Sequence, residues 1–182
     1  IENMYNIPEK GYSLCRGGMF HHALATARLS KALAKDTGRA DPDVAYTAGL
    51  LHDIGKVILD QYIADVKPLF YRMMIEHKED SCKLERQILG FDHCQAGLML
   101  AEDWDLPDVL KDAILFHHAP DTAAYNREII NLVYVSDIFT GKFLPGLEIE
   151  KIDTTGIQDG LKSLELDPRV VYGNLSVIAD LS

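Results

Sequence analysis

The sequence predicts an all-α protein, and three observations carry that prediction. Apolar residues recur at three- and four-residue spacing in one segment after another. Helix start and stop signals punctuate those segments. Apolar–polar alternation never runs beyond a few residues, so strands have no support. With 182 residues and 47% hydrophobic content, the chain is long and apolar enough to bury one core. The expectation is a single compact bundle of about seven to nine helices.

In chain order, residues 1–19 hold Pro8, Gly11, Gly17 and Gly18 and read as a lead-in, with the helical domain spanning 20–182. Helical spacing begins near Phe20, continues to Lys35 and stops before Gly38. Asp41-Pro42 is a start signal, because Asp caps free amides and Pro suits the first helical position. That helix runs through Val44, Ala48 and Leu51 and is expected to break or bend near Gly55. Residues 57–78 continue helical, with Pro68 starting a new turn. Ser81 and Glu85 open a short helix closed by Gly90. His93 to Trp104 is helical again, and Leu106-Pro107 opens a helix that ends near His118 because Pro120 follows. Asn126 to Phe139 is strongly apolar and is expected to stop at Gly141. Residues 142–155 form an irregular acidic stretch, followed by helices over Gly156–Leu164 and Pro168–Leu181.

Bulk properties exclude several function classes. The formal net charge of −10 argues against a broad nucleic-acid surface and against an anionic membrane surface, both of which need clustered Lys and Arg. No apolar run approaches the roughly 20 residues that span a bilayer, and no charged-then-apolar leader is evident. The chain starts at Ile1 without a methionine, so an N-terminal portion is expected to precede it. Cys15, Cys82 and Cys94 lack the spacing of zinc or redox pairs and read as reduced thiols of a cytoplasmic protein.

Histidines and aspartates stand on apolar helical faces. His22 shares a stripe with Ala25, Leu29 and Leu33, and His93 with Ala96, Gly97 and Leu100. His52 follows Ala45, Ala48 and Gly49, His117 follows Leu110, Ala113 and Ile114, and Asp137 follows Ile130 and Val133. A single inward histidine is ordinary core packing. Five helices each offering one such residue point instead to a shared site. A buried carboxylate needs a partner, and basic residues are absent from these stripes. A divalent cation would satisfy Asp53, Asp137 and several neutral imidazoles together, and this donor mixture suits Fe, Mn, Zn, Co or Ni. His21 is ambiguous because its stripe includes Arg28, and His118 is less clearly inward than His117 because of Lys111. His77 lies in a charged segment and reads as solvated.

The segment Ala48-Gly-Leu-Leu-His-Asp-Ile-Gly-Lys56 resembles the signature of the HD superfamily of metal-dependent phosphohydrolases. The surrounding pattern resembles the HDOD branch, a bacterial signalling output domain. That pattern includes Tyr12 to His22, Glu85 followed by Leu89-Gly-Phe-Asp-His93, Trp104-Asp-Leu-Pro107, His117-His118-Ala-Pro120 and Val135-Ser-Asp137. The resemblance covers roughly residues 10 to 142. It implies His22, His52, Asp53, His93, His117, His118 and Asp137 as metal ligands for one or two ions, with Asp53 bridging when there are two. His118 is implied as a ligand or a substrate contact. It implies Lys56 facing a phosphate oxygen, with Asp53 and Lys56 as the catalytic pair if the site is active. The implied roles are a signal-transduction domain retaining its metal site, or alternatively a phosphohydrolase acting on a nucleotide or other phosphoester. Partners would be a receiver, kinase or regulator, or a nucleotide ligand. Cyclic-di-GMP phosphodiesterases of this superfamily follow the paired histidines with Gly-Tyr-Pro. Here the residues are Ala119 to Asn126, which argues against that substrate.

Overall fold

Capping chemistry sets several of the helix boundaries. The computed structural model describes residues 11–12, 18–77, 81–143 and 154–176. Among them, nine α-helices and one 3-10 turn follow in order. These are α1 (Gly18–Thr37), α2 (Pro42–Leu51), α3 (Ile54–His77), α4 (Ser81–Leu89) and α5 (His93–Asp103). After them come α6 (Asp108–Phe116), the 3-10 turn Pro120–Thr122, α7 (Arg127–Phe143), α8 (Thr154–Ser163) and α9 (Pro168–Asn174). No strand occurs among the described residues, as expected of an all-α chain. Asp41 caps α2 by accepting from the amides of Asp43 and Val44. Asp92 and Gln95 form a reciprocal capping box at the start of α5. Gly90 ends α4 at φ +88, a conformation that disfavours any side chain.

Several boundaries differ from expectation. The break after α2 falls at His52-Asp53, two residues before Gly55. The helix expected to continue past residue 57 does so, with Pro68 inside α3. Proline removes one backbone bond, and the burial of Leu59, Ile63 and Phe70 along α3 holds the helix continuous across that loss. Gly141 does not stop α7, which runs to Phe143. Most of the acidic stretch 142–155 and the end of the last expected helix lie outside the described residues.

Two apolar clusters form the interior. The larger joins Leu29 and Leu33 of α1, Ala48 of α2, Ile114 of α6 and Leu132 and Val133 of α7. The smaller joins Leu59, Ile63 and Phe70 of α3 to Leu84 of α4 and Ala96 of α5. The α2–α3 junction therefore links one core to the other.

A backbone contact fixes the crossing of α3 over α5. A Cβ on Gly55 would lie 2.6 Å from the Gly97 amide nitrogen and 2.8 Å from the His93 carbonyl carbon, closer than real Cβ atoms come. A Cβ on Gly97 would lie 2.7 Å from Ile114 Cγ2. Only glycine at both positions lets α5 approach the residue pair that precedes Gly55.

Candidate metal centre

The α2–α3 break is the pivot of the site. His52 and Asp53 sit on it, both buried. Five other segments converge on them. His22 comes from α1, Lys56 from the first turn of α3 and His93 from the first position of α5. His117 and His118 follow α6 directly, and Asp137 comes from α7.

Asp53 turns its two carboxylate oxygens toward different neighbours. Its Oδ2 lies 3.4 Å from His52 Nε2 and 3.7 Å from His22 Nε2. Its Oδ1 lies 3.3 Å from His93 Nε2 and 3.5 Å from His117 Nε2. Asp137 Oδ1 adjoins the first group, 2.9 Å from His22 Nε2 and 3.5 Å from His52 Nε2. His118 Nε2 adjoins the second, 3.1 Å from His93 Nε2. The donor atoms of His22, His52 and Asp53 all lie within 4.8 Å of one another, and so do those of Asp53, His93, His117 and His118. This is a His/Asp cluster able to hold a metal ion.

The outer hydrogen bonds settle which ring nitrogen faces inward. His52 Nδ1 lies 2.7 Å from the Gly49 carbonyl oxygen, and His117 Nδ1 lies 2.9 Å from that of Ile114. A carbonyl only accepts, so each Nδ1 carries the proton and donates. Glu85 plays the same part for His93: its Oε2 accepts from Nδ1 at 2.7 Å and from the His93 backbone amide at 2.7 Å. In the neutral rings, Nε2 is then a lone pair aimed at Asp53. Buried His52 Nε2, His117 Nε2 and Asp53 Oδ1 meet no hydrogen-bond partner among the described residues. Orphaned buried polar atoms are costly, and here three of them belong to the two donor groups around Asp53.

Electrostatics push the same way. Burial raises the Asp53 carboxyl, but the Lys56 ammonium and the surrounding imidazoles outweigh it and hold it well below the usual carboxylate range. Asp137 is pulled down likewise, against its burial, by the adjoining His22 and His52 imidazoles. His93 is raised well above an ordinary histidine because Glu85 overcomes the effect of burial. His117 is raised too, by Cys94 and Asp53. His118 runs the other way, lowered to about 3 by burial and by His117 and His93. The pocket favours positive charge at its centre.

The ambiguous positions resolve as follows. His22 is buried and His21 exposed. His117 and His118 both join the cluster rather than competing for one place. Lys56 is no surface lysine: its side chain is 13% exposed, with Nζ 2.8 Å from Asp53 Oδ2. The His77 side chain lies outside the described residues. Sequence reasoning overlooked the supporting role of Glu85, a fully buried carboxylate that also accepts from the Tyr12 hydroxyl at 2.9 Å. An acidic residue on the apolar side of α4, eight positions before a candidate ligand, was the available signal. Tyr12 is itself anchored, since its amide and that of Gly11 donate to Asp60 Oδ1 at 3.0 and 2.9 Å.

Fold and site together define an HD-like helical domain. The HDOD domain model matches residues 2–120. The chain belongs to the HDOD domain family. A crystal structure of an HDOD domain protein of unknown function from Geobacter sulfurreducens superposes with a TM-score of 0.75 at 25% identity, covering 100% of this chain and 66% of that one. An uncharacterized protein of Treponema pallidum is 27% identical over 133 residues, 72% of this chain and 26% of that protein. Ribonuclease Y of Thermus thermophilus is 30% identical over 102 residues, 56% of this chain and 13% of that enzyme. The chain thus spans about a quarter or less of the length of these two relatives. Among the described residues, no helix is long and apolar enough to cross a membrane.

Proposed function

We propose that the chain is a bacterial, cytoplasmic signal-output domain whose His/Asp centre would hold two divalent transition-metal ions, with Asp53 shared by both donor groups. The observation that carries this reading is the set of orphaned buried atoms in the cluster, His52 Nε2 in one donor group and His117 Nε2 with Asp53 Oδ1 in the other. His22, His52, Asp53 and Asp137 would hold one ion. Asp53, His93, His117 and His118 would hold the other. The imidazole–carboxylate set suits Fe, Mn, Zn, Co or Ni better than Ca or Mg. Its partner in this reading is a receiver, kinase or regulator, or a nucleotide taken up as a signal. Metal analysis of protein purified without added metal tests the centre, with two equivalents per chain expected and none in Asp53→Ala. A wild-type protein that stays metal-free even after reconstitution defeats the proposal.

A specific observation favours hydrolysis of a phosphoester at the same centre. Lys56 brings a cation to the edge of the carboxylate that would bridge the ions, and Ribonuclease Y is among the relatives. Bound divalent cations supply Lewis acidity toward phosphoryl oxygens and lower the pKa of water. Lys56 would offset charge on a phosphoryl oxygen. Glu85, Gly49 and Ile114 would keep the imidazoles oriented. A turnover screen against cyclic and linear nucleotides tests this. Turnover that survives Asp53→Ala refutes it.

A further inference from the structure

Two buried thiols lie beside the centre, and neither is among the residues assigned to it. Cys82 and Cys94 are both free and each 5% exposed. Each is the second residue of its helix, α4 or α5. Their sulfurs are 3.8 Å apart. Cys82 Sγ lies 3.9 Å from both ring nitrogens of His93. Twelve residues apart and without a recognisable spacing, they are brought together by the packing of α4 against α5.

These thiols, His93 and His118 are near enough to suggest a cation site. Geometry argues against it. A sulfur equidistant from the two nitrogens of a ring lies on neither lone-pair axis, and Nδ1 already donates to Glu85. An ion held in line with Nε2 is out of reach of Cys82 Sγ. What the arrangement suits is bond formation between the sulfurs themselves.

We propose that Cys82 and Cys94 are a reversible dithiol–disulfide pair that closes when a peroxide oxidises it. One thiolate attacks the O–O bond, giving a sulfenic acid and releasing water. The second thiol attacks that sulfur, the S–S bond forms and the sulfenic oxygen leaves as a second water. Two thiols lose two electrons and two protons, and one hydrogen peroxide becomes two waters. The sulfurs close from 3.8 Å to about 2.05 Å, a movement taken up by the first turns of α4 and α5. Cys94 follows His93 directly, and Cys82 lies one helical turn before Glu85. The bond therefore ties the helix turn that leads to Glu85 to the one that begins with His93, and oxidation becomes a change at the ligand. That last consequence rests on the metal-centre reading; disulfide formation does not.

The test uses Cys15→Ser protein, which leaves no third thiol, treated with hydrogen peroxide and mapped after trypsin. Cleavage at Lys83 and Arg86 puts the two cysteines in separate peptides. A stoichiometric Cys82–Cys94 crosslink within the monomer, released by dithiothreitol and absent in Cys94→Ala, is the expected result. Free thiols, sulfinic acids or intermolecular dimers in its place overturn the proposal. Cobalt(II) affinity of the oxidised protein is then compared with that of the reduced protein. A change of at least tenfold, absent in Cys94→Ala, is expected. A crosslink that leaves cobalt affinity unchanged overturns the link to His93. Because the crosslink is mapped without metal, its failure is separate from failure of the metal centre.

Discussion

Gly55→Ala is the sharpest test of how this fold builds its centre, because it alters no candidate ligand. A Cβ there would sit 2.6 Å from the Gly97 amide nitrogen, whereas ordinary contact begins at 3.4 Å. The His93 carbonyl oxygen lies nearer still, so well over 0.8 Å must be found between α3 and α5, and the obstruction is backbone, which cannot swing aside. Overpacking of this kind costs about 1–3 kcal/mol. At roughly 2–4 °C per kcal/mol for a chain of this size, Tm falls by roughly 2–12 °C. The larger effect is on the site. His93 rides on α5 and His52-Asp53 precedes α3, so moving the helices apart moves His93 Nε2 from Asp53 Oδ1, now 3.3 Å away. Metal ligation tolerates about 0.2 Å. The expected result is a folded protein, by circular dichroism, that loses the metal equivalent contributed by His93, His117 and His118. Thermal melts and metal analysis of wild type and variant provide the check. A Gly55→Ala protein with unchanged Tm and full metal content would refute the reasoning.

Other expectations follow from the same geometry. Glu85→Gln keeps the shape beside His93 but removes the charge, so manganese or cobalt affinity by calorimetry should fall about 10–100-fold, the usual cost of losing an outer carboxylate; a change under threefold would contradict the role given to Glu85. His22→Ala should abolish metal at the first group while His21→Ala, at an exposed position, leaves metal content unaltered, and equal effects would show the wrong histidine was chosen. The pH response has two limbs. Asp53 and Asp137 have depressed folded pKa values, so their stabilisation is present above the unfolded carboxyl value and is lost as pH falls through the folded one. His93 and His117 have raised values, so theirs is present below the unfolded histidine value and is lost as pH rises through the folded one. Metal replaces those imidazole protons, so affinity should rise with pH, with proton release seen as buffer-dependent enthalpy in calorimetry. Affinity independent of pH between 6 and 8 would contradict the raised histidines.

Much of this protein is legible in its sequence because helical periodicity is local. Asp41, Asp92 and Gly90 mark helix ends by chemistry that needs no distant partner. The apolar stripes of His22, His93, His117 and Asp137 determine that these side chains face inward. Periodicity assigns a face, but it carries no distance between faces. Only tertiary packing decided that Asp53 addresses one histidine group with each oxygen, that Glu85 of α4 turns His93 Nε2 inward, and that His118 joins His117 instead of replacing it. Packing likewise carried α3 through Pro68 and brought Cys82 against Cys94. The approach of α3 to α5, which brings His93 to Asp53, is set by backbone contact at Gly55 and Gly97, two glycines whose missing side chains matter only once the helices have met.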